Sequence, residues 1–450
     1  MAKRYDVIVV GAGPAGLMAA KTAGEDGLKV ALLERKTNIS EVTRACAMMF
    51  IGEDDYYFGE RMYFCNKSRK MVFPVNGFTV QYEGPYKNFY GQEQYAPDGI
   101  HYISTGGYEE RISKGDESRL SIVFDKGALL QGLLTEAKEN GVDIFPGVEM
   151  VDIKKKRDGI QIVGNNKTFE APFAIAADGV NSRMAQKLGL NKERDFYCTV
   201  GGINMYMSGV HPPHPYMFIL VMDWDRRYGI PIAYYLLPSP YADDEHVVFV
   251  GGICDPRADF LGEMDFFISK SPFSSWFTHP EVRRRKACIR NFWSPLSQPF
   301  QDNVLFVGDS TWSQETEMTG AMMCGWKAAH TVATALKINQ LNRDGVMSYL
   351  QWWKKSFLEF HDYKAFFGQI AMMDQFTRED VNYLFSIIQD PLPYTLNPYK
   401  LPHYLREILL KLMPRIQAER PELLDKLQRM QSTPLEELLA PLSKSGFPNR

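Results

Sequence analysis

The sequence lacks the cysteine pattern of a metal or iron-sulfur protein. Its 450 residues include only six cysteines, and no two of them form a CxxC pair. Zinc fingers and iron-sulfur clusters need closely spaced cysteine ligands, so the sequence excludes both and predicts no metal site. Scattered thiols are typical of a reducing compartment, which predicts a cytoplasmic protein.

Two further absences limit the class of protein. No stretch reaches the ~18 consecutive apolar residues of a membrane-spanning helix. Glycines interrupt the apolar run near the N-terminus and no cleavage site follows it, so we expect no signal peptide. The formal net charge of -3 and the pI near 6.3 exclude a nucleic-acid-binding surface built on excess positive charge. A chain of this length has room for two or three domains around a large core.

A glycine-rich turn follows the first apolar run. The stretch YDVIVVGAGPAGLMAAKTAGEDGLKVALLER has the pattern of a strand, a turn, a helix and a second strand, which predicts a βαβ unit. Gly11 makes the tight turn, Gly13 lets the backbone approach a pyrophosphate, and Gly16 allows close packing of the helix on the strand. Glu34 ends the second strand, where an acidic side chain accepts hydrogen bonds from a ribose and disfavours a 2'-phosphate. The unit therefore predicts a site for FAD or NAD rather than NADP.

Two later segments share one layout. FEAPFAIAADGVNSRMAQKLGL has the pattern of a strand that ends in an Asp-Gly pair, followed by a helix that opens near Ser182. NVLFVGDSTWSQETEMTGAMMCGWKAAHTVATAL has the pattern of a strand, a Gly-Asp pair at Gly308 and Asp309, a polar loop and a helix. With these segments in this order after a single glycine fingerprint, the chain resembles the superfamily of aromatic hydroxylases and geranylgeranyl reductases.

The resemblance implies that the cofactor is FAD. Asp309 would hold the ribityl chain, and the amides of the helix start near Thr319, Gly320 and Ala321 would face the flavin pyrimidine, where negative charge accumulates on reduction. We also expect Thr319 to cap this helix and Gly320 to leave room for the cofactor. The expected cofactor-binding residues are Gly11, Gly13, Ala15, Gly16, Glu34, Arg35, Arg44, Ala47, Asp178, Gly308, Asp309, Thr319, Gly320 and Ala321.

Departures from the hydroxylase pattern favour the reductase branch. Hydroxylases of this kind follow Gly-Asp with Ala-Ala-His and a proline, whereas this loop continues with Ser310, Thr311 and Trp312 and has no proline. The Trp-x-Trp-x-Ile-Pro stretch of flavin halogenases is absent from the sequence. TRACAMM is similar to the Arg-Cys-Gly stretch of geranylgeranyl reductases, a similarity that places Cys46 on the substrate side of the flavin. FDKGALLQGLLTEAKENGVDIF also follows the layout of the reductases.

Two glutamates in the loop after the Gly-Asp pair are candidate proton carriers. The resemblance places Glu315 and Glu317 near the N5 edge of the flavin, where lipid reductases have an apolar loop. A carboxyl group there can donate or accept a substrate proton if burial raises its pKa. The candidate catalytic residues are Cys46, Glu315 and Glu317. Their structural alternatives are a small buried core cysteine and two solvated surface carboxylates.

The whole pattern predicts an α/β protein with a Rossmann-like FAD-binding domain, an antiparallel-sheet substrate domain and a C-terminal helical segment. The FAD-binding domain is expected at residues 1–75, 111–185 and 290–340, the substrate domain at 76–110 and 186–289, and the helical region at 341–450. Period-2 stretches at 71–75, at 78–82 and between 197 and 253 are expected to form one sheet over the flavin. Its aromatic side chains favour an apolar or aromatic substrate, although aromatics at strand spacing also build ordinary core.

These features predict a FAD-dependent oxidoreductase that reduces or forms a carbon-carbon double bond by hydride transfer at flavin N5. The chain has one glycine fingerprint, so electrons would come from a transient NAD(P)H, a ferredoxin or an electron-transfer flavoprotein. A flavin monooxygenase and an electron-transfer subunit without a small-molecule product are the alternatives. Leucines at helical spacing with basic residues between them, at 401–416, leave open a peripheral contact with a membrane or a partner.

Overall fold

The structure is a computed structural model that describes residues 3–50, 53, 55–223, 232–313, 315–444 and 446–448. Residues 224 and 230–231 of the predicted strand stretches lie outside the described residues. The fold is the predicted one: an α/β cofactor domain, a mainly antiparallel sheet beside it and a helical C-terminal region. The exact domain boundaries stay a prediction.

A six-stranded sheet, here called the cofactor sheet, carries the N-terminal βαβ unit. Its strands are, in spatial order, Asp143–Pro146, Val30–Glu34, Val7–Val10, Phe173–Ala176, Val304–Phe306 and Phe300–Gln301. The first five run parallel and the last pairs antiparallel. Their continuous apolar stretches are buried because both faces of a parallel sheet are covered.

Helices cover one face of the cofactor sheet and a second sheet covers the other. The helices are Pro14–Glu25, Lys126–Glu139 and Glu317–Lys337. The second sheet is four-stranded, with the order Lys3–Arg4, Thr168–Ala171, Gly159–Gly164 and Met150–Lys156. A short helix, Arg183–Lys187, follows the strand Phe173–Ala176. These layers bring the carboxyl ends of the parallel strands to one edge, where open α/β sheets bind ligands.

A seven-stranded sheet, here called the substrate sheet, lies beside the cofactor domain. Its strands are, in spatial order, Phe277–Trp293, Phe196–Val210, His246–Ile253, Ile232–Pro238, Phe218–Asp223, Gln92–Tyr95 and Tyr102–Ser104. Neighbouring strands are antiparallel except Phe218–Asp223, which runs parallel to Gln92–Tyr95. The outer face packs on the helices Phe260–Ser269 and Tyr108–Lys114, so the inner face is left for the cofactor domain.

The prediction that residues 71–75 and 78–82 belong to the substrate sheet is wrong. They form a separate three-stranded sheet of Tyr63–Cys65, Lys70–Phe73 and Phe78–Gln81. This sheet packs on the cofactor domain, and Phe78 stacks on Trp326 of the helix Glu317–Lys337 with ring centroids 5.3 Å apart. Its apolar side chains are buried against the cofactor domain. Period-2 spacing predicts a strand but does not show which sheet the strand joins. The predicted boundary between residues 75 and 76 lies in the turn of this hairpin.

Two further groups of elements complete the fold. A two-stranded antiparallel pair joins Tyr86–Phe89 to Ser121–Phe124. The C-terminal helices are Met347–Trp353, which continues into a π-helical turn at Lys354–Leu358, then Tyr363–Gln375, Arg378–Ile387, Leu401–Glu419, Pro421–Ser432 and Leu435–Ser443. The indole of Trp312 donates a hydrogen bond of 2.5 Å to the hydroxyl of Tyr399, which ties this region to the loop after the Gly-Asp pair. None of the helices in the described residues is both long and apolar enough to cross a bilayer.

Candidate active site

A cleft opens where the strands Val7–Val10 and Val30–Glu34 end, beside the N-terminus of the helix Pro14–Glu25. Nine of the fourteen residues expected to bind the cofactor line this cleft: Gly11, Gly13, Ala15, Glu34, Arg35, Arg44, Asp178, Asp309 and Ala321. Of the other five, Gly16 and Gly308 pack against the lining residues Gly11 and Ala15. Thr319 and Gly320 are buried, and Ala47 is partly buried. The three separate segments singled out in the sequence therefore converge on one edge of the cofactor sheet.

Each glycine of the fingerprint is required for a different structural reason. Gly11 has a φ of +100°, and a Cβ there would lie 2.4 Å from the carbonyl oxygen of Ala177. A Cβ at Gly16 would lie 1.8 Å from the carbonyl oxygen of Gly11, so helix and turn touch. A Cβ at Gly13 would meet no atom within 4 Å. The space before Gly13 thus leaves the amides at the helix start open to an anion such as a pyrophosphate.

The carboxylate of Glu34 is held in place at the cleft. It is buried, its Oε2 accepts a 2.8 Å hydrogen bond from the amide of Ala12, and its Oε1 accepts a 2.9 Å bond from the amide of Lys36. Each carboxylate oxygen can accept more than one hydrogen bond, so capacity remains for a ribose hydroxyl. Together with the open helix start, this arrangement fits the adenosine diphosphate half of a dinucleotide.

Asp178 is oriented by the helix that follows it. Its Oδ1 accepts a 2.7 Å hydrogen bond from the hydroxyl of Ser182, and its Oδ2 accepts a 2.9 Å bond from the amide of Met184. The helix Arg183–Lys187 opens at Ser182, as predicted, and the hydroxyl of Ser182 caps it by accepting a hydrogen bond from the amide of Ala185. Burial raises the pKa of Asp178, although these hydrogen bonds oppose the rise.

The helix after the Gly-Asp pair begins earlier than predicted. It starts at Glu317, so Thr319 lies inside the first turn and the prediction that it caps the helix is wrong. The reason is Thr316, whose amide and hydroxyl donate to Oδ1 of Asp309 at 2.8 and 2.9 Å and end the loop there. The amide of Gly320 already donates to the carbonyl of Thr316 at 3.0 Å. The amides left open at this helix start are therefore those of residues 317–319 rather than those of 320 and 321.

Gly320 makes room for an aromatic ring. A Cβ at this position would lie 2.9 Å from the ring of Phe58 and 3.1 Å from Cβ of Thr316. Phe58 is fully buried and stacks on Phe357 with ring centroids 4.0 Å apart. The glycine thus lets the helix start pack on this aromatic pair.

Glu315 lies between two arginines from different parts of the chain. It accepts hydrogen bonds from Nη2 of Arg44 and, at 2.8 Å, from Nη1 of Arg290, which belongs to the edge strand of the substrate sheet. Nη2 of Arg44 also lies 3.8 Å from Oδ2 of Asp309. Burial by itself would raise the pKa of Glu315, but the two guanidinium groups outweigh it and lower the pKa to about 2. Glu315 is therefore ionised at neutral pH and joins the substrate sheet to the cofactor domain.

Glu317 has the opposite protonation state. Burial and the negative charges of Glu315 and Asp309 raise its pKa to about 8, so its carboxyl group is mostly protonated at pH 7. Its backbone has a φ of +54°, a left-handed conformation that is uncommon outside glycine. Strained backbone of this kind clusters at functional sites. Two carboxyl groups in one loop are thus held in different protonation states, the pattern that marks acid and base roles.

Cys46 lies between the two sheets. Its carbonyl oxygen accepts a 2.9 Å hydrogen bond from Nδ2 of Asn204 on the inner face of the substrate sheet, and its Sγ lies 4.0 Å from Nζ of Lys126. The hydroxyl of Tyr235 donates a 3.0 Å bond to Oδ1 of the same asparagine. Ala47 follows in the chain and is partly buried. The structure therefore brings Cys46 to the junction of the cofactor and substrate sides, although a catalytic role stays a prediction.

Sequence reasoning missed Arg290 and Asn204. Both lie on long strands of the substrate sheet, where Val200 pairs with Arg290 and Asn204 pairs with Lys286. In the structure Arg284, Lys286, Cys288 and Arg290 alternate with more exposed residues, but Arg283 and Arg285 are also basic, so the sequence carries no clear alternation. Among the described residues, no group of three or more His, Cys, Asp or Glu side chains could hold a metal ion.

Comparisons with known proteins agree with this geometry. Residues 6–180 match the family model described as FAD dependent oxidoreductase. A digeranylgeranylglycerophospholipid reductase from Methanothrix thermoacetophila is 25% identical over 411 residues, which cover 86% of this chain and 92% of that protein. A second reductase of that name, from Methanocaldococcus jannaschii, is 22% identical over 79% of this chain and 84% of its own length.

Solved structures show the same fold at lower identity. A geranylgeranyl bacteriochlorophyll reductase-like protein from Thermoplasma acidophilum has a TM-score of 0.66 and 17% identity, and the match covers 96% of this chain and 100% of that chain. The halogenase PltM in complex with phloroglucinol and FAD has a TM-score of 0.59 and 13% identity, over 97% of this chain and 94% of that chain. At these identities the structures establish the fold alone. From the family match, the related reductases and the cleft, the chain is a FAD-dependent oxidoreductase that is similar to the geranylgeranyl reductases.

Proposed function

We propose that the chain binds FAD in the cleft and uses it to reduce a carbon-carbon double bond of an apolar or aromatic substrate. The open helix start at Gly13 would bind the pyrophosphate, Glu34 a ribose, and Asp309 the ribityl chain. FAD, when bound and reduced, supplies a hydride at N5. The residues of the chain have three tasks beside it: to hold the substrate, to exclude water and to deliver a proton.

The position of Glu317, in one loop with the carboxyl groups of Glu315 and Asp309, carries this proposal. Reduction of a double bond adds a hydride to one carbon and a proton to the other, so the site needs an acid that still holds its proton at neutral pH. Glu317 meets this requirement because burial and its acidic neighbours raise its pKa to about 8. Glu315 does not, because its two arginines keep it ionised. We therefore assign proton donation to Glu317 and the positioning of the loop to Glu315.

The inner face of the substrate sheet offers a flat aromatic surface for the substrate. Tyr235 and Phe249 stack with ring centroids 4.5 Å apart and an interplanar angle of 10°. A Cβ at Gly202 or at Gly251 would lie 2.3 Å from the ring of Phe249, so both glycines let that ring lie against the sheet. Such a surface favours contact with an apolar or aromatic body. The matched relatives are named as reductases of digeranylgeranylglycerophospholipid, which agrees with an apolar unsaturated substrate for this chain.

The electron donor would reach the flavin from outside the chain. One parallel sheet with one glycine fingerprint accounts for one dinucleotide in the described residues. We therefore propose that a transiently bound NAD(P)H, a ferredoxin or an electron-transfer flavoprotein reduces the cofactor. Turnover with each donor and one unsaturated acceptor would distinguish them.

Air reoxidation separates the proposed reductase from the other flavoprotein classes. FAD-loaded protein is reduced anaerobically with dithionite and then mixed with air while the visible spectrum is recorded. A reductase predicts slow reoxidation without a hydroperoxide absorbance, and addition of an unsaturated acceptor accelerates it. Fast reoxidation with oxygen incorporated into an aromatic compound would instead establish a monooxygenase. Stable co-purification with redox proteins and no small-molecule product would establish an electron-transfer subunit.

A further inference from the structure

Two lysines approach Cys46 from opposite sides. Lys286 belongs to the edge strand of the substrate sheet and pairs with Asn204, whose amide donates to the carbonyl of Cys46. Lys126 begins a helix of the cofactor domain, and its Nζ lies 4.0 Å from Sγ of Cys46. Both lysines are partly buried. Two ammonium groups therefore share a small space at the junction of the two sheets.

Carboxylates act on these lysines only at longer range in the described residues: Asp125 on Lys286, and Glu315 on Lys126. Neither lysine has an acidic oxygen within the 4.0 Å of an ion pair in the described part of the chain. The nearby acid, Asp125, accepts instead from the hydroxyl of Tyr241 at 3.1 Å and from the amide of Gly127 at 2.8 Å. Glu315 is likewise engaged, by Arg44 and Arg290. Two partly buried ammonium groups whose nearby acids bind other partners are unfavourable together, and an anion from outside the chain would relieve this.

The neighbouring Arg284 differs from Lys286 in having a carboxylate partner. Arg284 lies two residues before Lys286 on the same face of the strand, and its guanidinium group donates a 2.5 Å hydrogen bond to the buried carboxylate of Glu245. Lys286 instead lies over the ring of Tyr206, with Nζ 5.3 Å from the ring centroid. Burial, followed by the charge of Arg284, lowers the pKa of Lys286. On this strand Arg284 is therefore paired with a carboxylate of the protein, whereas Lys286 forms no ion pair within the described residues.

We propose that Lys286 and Lys126 together bind an anionic group of the substrate, a carboxylate or a phosphate, beside Cys46. This inference rests on the proposed function and narrows the substrate to an unsaturated anion. The apolar body of the substrate continues over the stacked rings of Tyr235 and Phe249. Lys126 also lines the cofactor cleft, so the anionic group would bind at the border between the cofactor and the substrate.

Binding of paired probes to the FAD-loaded protein tests this inference without turnover. The probes are benzoate, cinnamate and phenyl phosphate, with benzamide and cinnamamide as uncharged counterparts, and their affinities are measured by titration calorimetry. At least one anionic probe should bind about tenfold or more tightly than its uncharged counterpart, since a hydrogen-bonded charge pair is worth on the order of 1.5–3 kcal/mol. Equal affinities, or no binding by any of the anions, would overturn the inference.

Variants assign the effect to Lys286. The substitution Lys286→Gln should weaken the anionic probe about tenfold to hundredfold and leave the uncharged probe unchanged, whereas Lys286→Arg should retain most of the affinity. Arg285→Gln is the matched control, because Arg285 is the adjacent cation of the same strand and is exposed. An unchanged anion affinity in folded Lys286→Gln, or an equal loss in Arg285→Gln, would overturn the assignment. If the anion binds through Lys286 but no double bond is reduced, the anion site stands and the proposed function fails.

Discussion

At the scale of single residues, Glu317 decides whether the site can deliver a proton. The substitution Glu317→Gln should lower the rate of substrate reduction by about 100-fold or more, because an amide cannot donate the proton that a general acid supplies. The FAD content should stay unchanged, since Glu317 is not among the residues that line the cleft. In the wild-type protein, activity should fall as the pH rises through about 8, where Glu317 ionises. Full activity in the variant would remove the assignment.

The raised pKa of Glu317 also predicts how stability depends on pH. The pKa in the folded protein, about 8, lies above the ordinary value of 4.5, so between these values the folded protein holds a proton that the unfolded chain releases. The stabilising contribution is therefore fully present below pH 4.5 and is lost as the pH rises toward 8. Urea midpoints across this window should fall more steeply in the wild-type protein than in Glu317→Gln. Glu117→Gln removes an exposed carboxylate and should keep the wild-type slope.

Gly320 and Gly368 both lie in helices, and substituting each with alanine tests the packing around Gly320 at the helix start after the Gly-Asp loop. Gly320→Ala should lower the free energy of unfolding by about 1–3 kcal/mol, because its Cβ would meet the buried ring of Phe58 at 2.9 Å. Gly368 lies in the helix Tyr363–Gln375, where a Cβ meets no atom within 4 Å. Gly368→Ala should therefore stabilise the protein by about 0.5–1 kcal/mol through helix propensity. Urea unfolding of both variants tests the pair, and a similar change in the two would contradict the packing account.

At the scale of elements, the edge strand Phe277–Trp293 is joined to the loop of the cofactor domain by Arg290. Arg290→Met should destabilise the protein by about 1.5–3 kcal/mol, because Glu315 loses one of its two charged hydrogen-bond donors and keeps Arg44. The double variant Arg290→Met with Glu315→Met should recover part of this loss, which a double-mutant cycle measures. Arg285→Met, on the exposed side of the same strand, should stay within about 0.5 kcal/mol of the wild type.

The elements that could be predicted are those whose signals are local. The first βαβ unit and the strand before the Asp-Gly pair have continuous apolar stretches and glycine turns within about 30 residues, so their type and order follow from periodicity. The strand Phe277–Trp293 has polar residues on both faces, which hides its inner face from a pattern of alternation. The sequence therefore did not single out Arg290. Its contact with Glu315 depends on how the strands pair in the sheet, which the spacing of residues along the chain does not show.

The helix start at Glu317 shows a second limit of sequence reasoning. The sequence offers two threonines, Thr316 and Thr319, and either is an acceptable residue at a helix start. The choice depends on Asp309, which accepts both hydrogen bonds from Thr316 across the loop. A contact between side chain and backbone over seven residues is not visible in local propensity. The candidate site could therefore be located from the sequence, whereas its hydrogen bonding could not.

At the scale of the whole molecule, two sheets and one loop place a cleft, aromatic and basic side chains, and carboxyl groups next to one another. The cofactor sheet supplies the cleft that we propose binds FAD, and the substrate sheet supplies aromatic and basic side chains. The loop between Asp309 and Glu317 supplies carboxyl groups in two protonation states. The C-terminal region contacts this loop through the hydrogen bond from Trp312 to Tyr399, which lies just before the helix Leu401–Glu419. A contact of those helices with a membrane or a partner stays a prediction.

Anaerobic mixing of the reduced protein with an unsaturated carboxylate tests the central claim most directly. The flavin spectrum and the mass of the product are followed together, with cinnamate and its longer-chain analogues as acceptors. The account predicts that the flavin is reoxidised as the product gains two hydrogens, one from the reduced cofactor and one through Glu317. Flavin that stays reduced with every unsaturated acceptor, or a product that gains an oxygen atom only when air is admitted, would contradict it.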